Sequence, residues 1–481
     1  MTAGRRMSAG EDLLPPAKRH MRRGPKPPIA AGLTASGALK SLQELDATHW
    51  LFASAIGTLL LALTFGGADH TAADPAIQLS ALVTLGLAWP QLRGASLTPM
   101  ARVAIVLAVT AVAWHLAQLL PLPAVIAKAL PGRAAITDEL VGIGADIASH
   151  ASLSPTLTER SLWGLLPGLA LLCAGLALPP VGRQRLLAAI VVFALFSIVL
   201  GLAQIAGGPA SPLRFYRPTH AGDAVGFFAN RNHFASLLYV ALALTAGLLA
   251  MHWRRSGGQR PYAVLGATTL VFCLIGLGLA RSRMGLALGM LALAGAAAIL
   301  LGAASEGRAV RRWLVLTTVI GLLAVVQIGL YGILNRFETD PLQDARWTFF
   351  SNTQRLAAQY APVGSGFGTF SHAYQSAQTP TQQQSFYVNH AHNDYLELAL
   401  EGGWPAIGWA VAFVAWWLWC TWTAWRRPAN GHTLARAASL ALLLLMLHAV
   451  VDYALRMSAM LAVAGLLCAT VTINRRSSST Y

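Results

Sequence analysis

Long apolar runs separated by short polar turns dominate the chain. Runs long enough to cross a bilayer, at roughly 20 residues each, fall at 49–66, 77–93, 102–120, 161–179, 186–206, 233–252, 262–280, 284–303, 313–332, 404–424, 434–454 and 457–473. The pattern predicts an all-α polytopic membrane protein with about twelve transmembrane helices. Two stretches between runs are long. Residues 121–160 are rich in Pro, Ala and Ser and are expected to form short interfacial helices. Residues 333–403, between the ninth and tenth spans, form the largest extramembrane segment. Residues 1–46 lack a spanning run and read as a disordered basic tail, residues 47–473 as the membrane domain, and residues 474–481 as a second short tail. No internal repeat is visible.

Composition agrees. Of 481 residues, 55% are hydrophobic and 11% charged, with a mean hydropathy of +0.54, whereas soluble domains carry roughly 25% charged residues. A soluble multidomain enzyme, a secreted disulfide scaffold and a disordered chain are excluded. Cys173, Cys273, Cys420 and Cys468 all lie inside apolar runs, which argues against a disulfide framework or a zinc cluster. A net charge of +16 invites a nucleic-acid reading, but its distribution opposes one. With the N-terminus cytoplasmic and the spans alternating, 23 of the 35 basic residues fall in the tails and the tight inner loops, as the positive-inside rule requires. An even number of spans also returns the C-terminus to the cytoplasm. The first strong apolar run begins near Trp50 with no cleavage site after it, so a cleavable signal peptide is not expected.

Twelve basic residues fall on the outer side, against that rule: Lys128, Arg133, Arg160, Arg214, Arg217, Arg231, Arg281, Arg283, Arg336, Arg346, Arg355 and Arg456. Arg231, Arg281 and Arg283 are the most informative because they abut spans, where a cation costs roughly 2.5–3.5 kcal/mol on insertion scales. Arg336 and Arg456 can each be accommodated by snorkelling. Trp416, Trp417, Trp419, Trp422 and Trp425 end the tenth span before Arg426 and read as an interfacial belt.

The densest polar stretch is 389–403, NHAHNDYLELALEGG. His390, His392 and Asp394 alternate, Asn393 or Asp394 is placed to cap the helix that follows, and Gly402 and Gly403 break it before the next span. A general base, a metal site built from His390, His392 and Asp394, and a histidine that only braces the loop are three readings open to these residues. Upstream, GSGFGTF (364–370) is a Gly-rich turn that could offer backbone N–H groups to phosphate, though packing the loop against the bundle accounts for it more simply. Residues 344–362 read as an amphipathic helix carrying Arg346 and Arg355. Convergence of GFFANRNHFA (226–235) and ARSRMG (280–285) on His392 would make an arginine-lined pocket at the membrane surface. Such a pocket suits a lipid diphosphate.

These residues resemble the O-antigen ligase and O-antigen polymerase superfamily of bacterial inner-membrane glycosyltransferases. His392 and Asn393 are followed by nine residues and Gly403, as in that family's ligases, but Ala406 stands where they have a second glycine. Ser282 and Arg283 match the family's outer Ser-Arg, and Arg346 an arginine of its loop helix. Pro362, Gly364, Gly366, Gly368 and Phe370 match its Gly-rich turn, and Asn230 and Asn232 its Asn-x-Asn. The resemblance implies a membrane glycosyltransferase of GT-C-like architecture that transfers an undecaprenyl-diphosphate-linked glycan to a hydroxyl on the periplasmic side, with inversion and without a metal ion or other cofactor. His392 would be the base. Arg283 and Arg346 would stabilise the leaving diphosphate, and Arg231, Arg281, Asn230, Asn232, His390, Asn393 and Tyr395 would bind substrate. Expected partners are the lipid-linked glycan, a glycan or lipid A core acceptor, membrane lipid, a flippase and a chain-length regulator, with no nucleic acid.

Polymerisation of surface or exopolysaccharide repeat units leads, since Ala406 breaks the ligase pattern. Ligation to lipid A core, and transfer to a protein, share the chemistry. A lipid-linked glycan flippase would place charges at the bilayer midplane on broken, repeated helices, a pattern not seen. Another enzyme reading puts the base at Asp69 or Asp74 in the first outer loop, with a metal.

Overall fold

A computed structural model describes residues 35–69, 71–134, 138, 142, 149–217, 222–255, 260–303, 341–382, 387–428 and 431–472. The expected ninth span (313–332) and Arg336 lie outside the described residues. The chain divides into two units, Met1–Asp46 and Ala47–Tyr481. Of the first, residues 35–46 are described, and they are helical where a tail was expected.

The helices run α1 (Ala35–Phe65), α2 (Asp74–Gly94), α3 (Pro99–Leu119), α4 (Ala124–Ala129), α5 (Pro155–Gly164), α6 (Leu166–Ala177), α7 (Pro180–Ala206), α8 (Arg231–Arg255), α9 (Arg260–Ala280), α10 (Arg283–Ala303), α11 (Pro341–Tyr360), α12 (Phe370–Ala377), α13 (Asp394–Arg426), α14 (Thr433–His448) and α15 (Ser458–Val471). Among the described residues, the strands are β1 (Pro121–Leu122) and β2 (Ser149–His150), an antiparallel pair with Pro121 opposite His150. Among the described residues, seven helical stretches are long and apolar enough to cross a membrane: Asp46–Phe65, α3, Pro155–Ala177, α7, Arg231–Trp253, α10 and α13. Val264–Ala280, α14 and α15 are apolar but shorter. The protein is a mostly helical, multi-pass membrane protein.

Local sequence explains the helix ends. Pro99 opens α3, where a missing N–H costs nothing, and Thr98 caps it by accepting from the Ala101 N–H at 3.1 Å. The expected 161–179 run is two helices with a turn at Leu165, because Pro167 removes a backbone donor close to it. The expected 434–454 run stops at His448. Residues 449–453 turn out of the helix and lead into a 3₁₀ turn at Ala454–Arg456, which lets Asp452 and Arg456 reach polar partners.

Apolar all round, α8 is the most buried of the spanning helices. Residues Phe234–Leu244 are almost without solvent contact, enclosed by α7, α9, α10 and α14. The α6–α15 contact is closer still: a Cβ on Gly465 would sit 2.0 Å from the Gly168 carbonyl oxygen. Such small-residue contacts are how helices approach each other in lipid. The tryptophan cluster splits. Trp419, Trp422 and Trp425 are exposed and fit a belt, but Trp416 and Trp417 are buried, their indole N–H groups donating to the carbonyls of Met100 and Ser439.

A second, smaller core lies outside the main bundle core. Phe349, Leu356 and Tyr360 of α11 pack with Phe370 and Tyr374 of α12, Val388, Ala391 and Leu400. Each buried aromatic there contributes roughly 1.5–3 kcal/mol. Helices α11 and α12 are therefore folded onto the start of α13, next to the 387–393 loop.

Candidate functional site

The site is built on residues 387–393, which run into the N-terminus of α13. The Asn393 side-chain oxygen accepts from the Leu396 N–H at 3.0 Å and caps the helix. Glu397, in the first turn and fully buried, accepts from His390 Nδ1 at 2.8 Å and from the Ala391 N–H at 2.7 Å. One carboxylate thus braces the loop from inside, and the chain turns through His392 at φ +53°. A side chain larger than glycine adopts this left-handed conformation at a cost and keeps it only where the surroundings enforce it. Arg281, at φ +50°, is the other such non-glycine position among the described residues.

The two histidines face different partners. His390 lies between Glu397 and Asp69, with Nε2 3.3 Å from the Asp69 carboxylate. Burial alone would lower its pKa, but the two acids outweigh burial and raise it to about 10. Behind it Arg456 bridges Asp394 (3.1 Å), Glu397 (3.1 Å) and Glu401 (2.8 Å). Arg456 is therefore the counter-ion of a buried acidic helix face, not a snorkelling surface cation.

His392 faces outward to Asp452, with Nδ1 3.5 Å from Oδ1, and its ring stacks on Phe349 of α11 at 6.2 Å. Asp452 is fully buried. It accepts from Asn232 Nδ2 and from the Tyr453 N–H at 2.9 Å, and His233 Nε2 lies 3.6 Å away. Burial would raise its carboxyl pKa, but His233 and His392 outweigh burial and hold it well below the usual range. The Asn232 side-chain oxygen in turn accepts from Ser282 Oγ at 2.7 Å, and Ser282 caps α10 through the Gly285 N–H at 3.0 Å. The ends of α8, α10, α14 and the loop thus meet at one hydrogen-bonded junction, with Arg283 the first residue of α10.

The arginines expected on the outer side divide. Asp223, buried, pairs with Arg231 at 2.5 Å and with the exposed Arg281 at 3.6 Å. Arg133 is clamped onto the carbonyls of Ala151 and Gly364 and fastens the 121–160 loop to the Gly-rich turn. Arg346 is exposed on α11, one turn before Phe349, and its charge is felt at His448. Of the residues expected from sequence, His392 and Asn232 meet at Asp452, Ser282 reaches it through Asn232, and the Asn230 side-chain oxygen accepts from the Asn232 N–H at 2.9 Å. His390 belongs to the buried acid cluster. The oxygen of Asn393 is used as a cap, and Tyr395 donates to the Met446 carbonyl at 3.0 Å. Among the described residues no cluster of three metal-ligating side chains occurs.

Asp452, Asp223 and Glu397 were missed by the sequence reading. For Asp452 and Arg456 a signal existed, since ionisable residues inside apolar runs are rarely without purpose. For Asp394, Glu397 and Glu401 the signal was their spacing, which places three acids on one helix face.

The GSGFGTF turn packs rather than binds. The N–H groups of Ser365 and Gly366 donate to the Leu400 and Glu401 carbonyls, at 2.8 and 2.9 Å. A Cβ on Gly364 would sit 2.3 Å from the Glu401 carbonyl oxygen. The turn grips α13 where it kinks at Gly403 (φ +63°). Beside the acid cluster, a cleft of about 630 Å³ opens between α3, α6, α13 and α15. It is walled by Leu107, Leu169, Phe413 and Leu461 and headed by His390, Asp394 and Arg456.

Residues 268–411 match the family model described as O-antigen ligase. That stretch holds Ser282, Arg283, Arg346 and His392, whereas Asp223, Asn232 and Asp452 lie outside it. No curated protein matches the chain. Over residues 268–411 the chain is similar to the O-antigen ligase domain, and this match supports the O-antigen ligase and polymerase superfamily.

Proposed function

We propose that this protein transfers an undecaprenyl-diphosphate-linked glycan to a hydroxyl acceptor at the periplasmic face of the bacterial inner membrane, extending a surface polysaccharide or exopolysaccharide. The reading keeps twelve spans in a GT-C-like arrangement with both termini cytoplasmic. The observation that carries it is His392 held against buried Asp452, at the junction where Asn232, Ser282 and the first residue of α10, Arg283, come together.

The chemistry follows from that geometry. With Nδ1 directed at a carboxylate, His392 Nε2 is left to accept the acceptor hydroxyl's proton, and Asp452 stabilises the imidazolium that forms. The acceptor oxygen attacks the anomeric carbon from the face opposite the diphosphate, the carbon–oxygen bond to phosphate breaks, and undecaprenyl diphosphate departs with inversion. Arg283 and Arg346 stabilise the charge that develops on that leaving group, and Arg231 and Arg281, aligned by Asp223, add to the positive rim. Guanidinium groups supply the charge stabilisation that other transferases draw from a metal. The apolar cleft beneath His390 suits a lipid chain.

The test is glycan transfer by purified protein with a lipid-diphosphate-linked repeat unit in the presence of chelator, products sized on a gel. A ladder that vanishes in His392→Ala and Arg283→Ala supports polymerisation by this mechanism. Transfer only when lipid A core is added would make the protein a ligase, and transfer only to a protein acceptor would make it a protein glycosyltransferase. Activity that survives His392→Ala, or that dies with chelator and returns with a metal, overturns the mechanism and reopens Asp69 or Asp74 as base.

A further inference from the structure

The Asp452 carboxylate serves two histidines. Its Oδ1 is 3.5 Å from His392 Nδ1 and 3.6 Å from His233 Nε2. Both rings stand nearly edge-on to the same Tyr453 ring, His392 at 5.0 Å and 72°, His233 at 4.9 Å and 83°. Their exposures differ. The His392 side chain is 19% exposed and that of His233 2%. Neither ring nitrogen of His233 makes a hydrogen bond among the described residues. A buried imidazole without such a bond is costly, and the polar group it faces is the one that orients the proposed base.

We propose that His233 is a positioning residue that competes with His392 for Asp452 and so sets the pH at which His392 works as a base. This rests on the reading of His392 given above. A carboxylate shared between two donors gives each less than a carboxylate held by one. His392 therefore keeps less of the Asp452 charge than it would alone, and works as a base to lower pH.

The groups around His233 leave this competition to the pair. The α14–α15 connection contributes Asp452 and Tyr453, and the 387–393 loop contributes His392. From α14 comes His448, which is electrostatically coupled to Asp452, His233 and Arg346 of α11 and bonded through Nδ1 to Ser236 and Tyr239 of α8. Asn232, the neighbour of His233 on α8, holds the other Asp452 oxygen. On the same helix Arg231 is paired with Asp223. Asp452 Oδ1 accepts the Tyr453 N–H at 2.9 Å, and the side chains that reach the same oxygen are the two histidines.

The experiment is the pH–rate profile of transfer by purified wild type, His233→Asn and His233→Gln, with thermal unfolding in detergent measured beside each. His392 must be unprotonated to act, so the acidic limb reports its titration. The expected result is an acidic limb moved to higher pH by about one unit in both variants, with the alkaline plateau retained within about threefold. That shift leaves a wild-type rate several-fold above the variants only on the acid side. A uniform loss at every pH with an unmoved limb, or profiles that coincide with wild type, would overturn the proposal. If one variant unfolds early, the other decides. Failure of the parent reading looks different: wild type itself would show no transfer, or its transfer would survive His392→Ala.

Discussion

Two histidines two residues apart, His390 and His392, meet opposite environments. His390 is enclosed by Glu397 and Asp69 and backed by Arg456, so its charge completes a buried acid cluster. His392 has one carboxylate, an aromatic face and access to solvent. An extended strand sends alternate side chains to opposite faces, so a two-residue spacing would put both on one face. The left-handed turn at His392 breaks that alternation. The comparison teaches that a histidine held by two acids is structural charge, whereas one oriented by a single acid and left open at the other nitrogen can exchange a proton.

That division can be broken at several points. The largest effect should come from Arg456→Leu, which leaves Asp394, Glu397 and Glu401 without their shared cation. Removing one partner of a buried ion pair costs about 3–5 kcal/mol, so the variant should unfold early or fail to accumulate as a monodisperse protein in detergent. His392→Ala should do the reverse: thermal unfolding near wild type, transfer reduced about 10²–10⁴-fold. Equal damage to folding by both changes would dissolve the distinction.

Gly403→Ala tests the platform under both histidines. Its backbone (φ +63°, ψ −155°) lies in a region essentially reserved for glycine, and a Cβ would sit 2.1 Å from the Pro362 carbonyl oxygen. A loss of about 1–3 kcal/mol is expected. Gly408→Ala, with open space around its Cβ, should be neutral or slightly stabilising.

The finest test is pH. The folded pKa of His390 is raised from 6.5 to about 10, so its charge stabilises the fold fully below pH 6.5 and that contribution is lost as pH rises toward 10. Thermal unfolding should therefore fall across this window in wild type, and fall less in His390→Gln. Parallel pH curves for the two proteins would mean that His390 holds no excess proton.

Much of the architecture was readable from the chain alone. Hydrophobic period and length are local properties, so eleven of the expected runs coincide with helices in the described residues. The Asn393 cap, the α11 helix and the packing role of the Gly-rich turn were also legible, because caps, amphipathic faces and glycine clusters act over a few residues. The expected approach of 226–235 and 280–285 to His392 is also seen, through Asn232, Ser282 and Asp452. What only the tertiary structure decided is which charges are spent on one another. Arg456 closing on three acids, Asp223 holding Arg231 and Arg281, and Asp452 reaching His392 and His233 all join residues from different elements. Charge pairing depends on distance in space, so composition and spacing could single out the cations without telling a substrate clamp from a structural counter-ion. Nor could hydropathy reveal that the helix ends at His448, since the apolar run continues through Val451. The turn there is set by the partners that Asp452 and Arg456 find when they leave it.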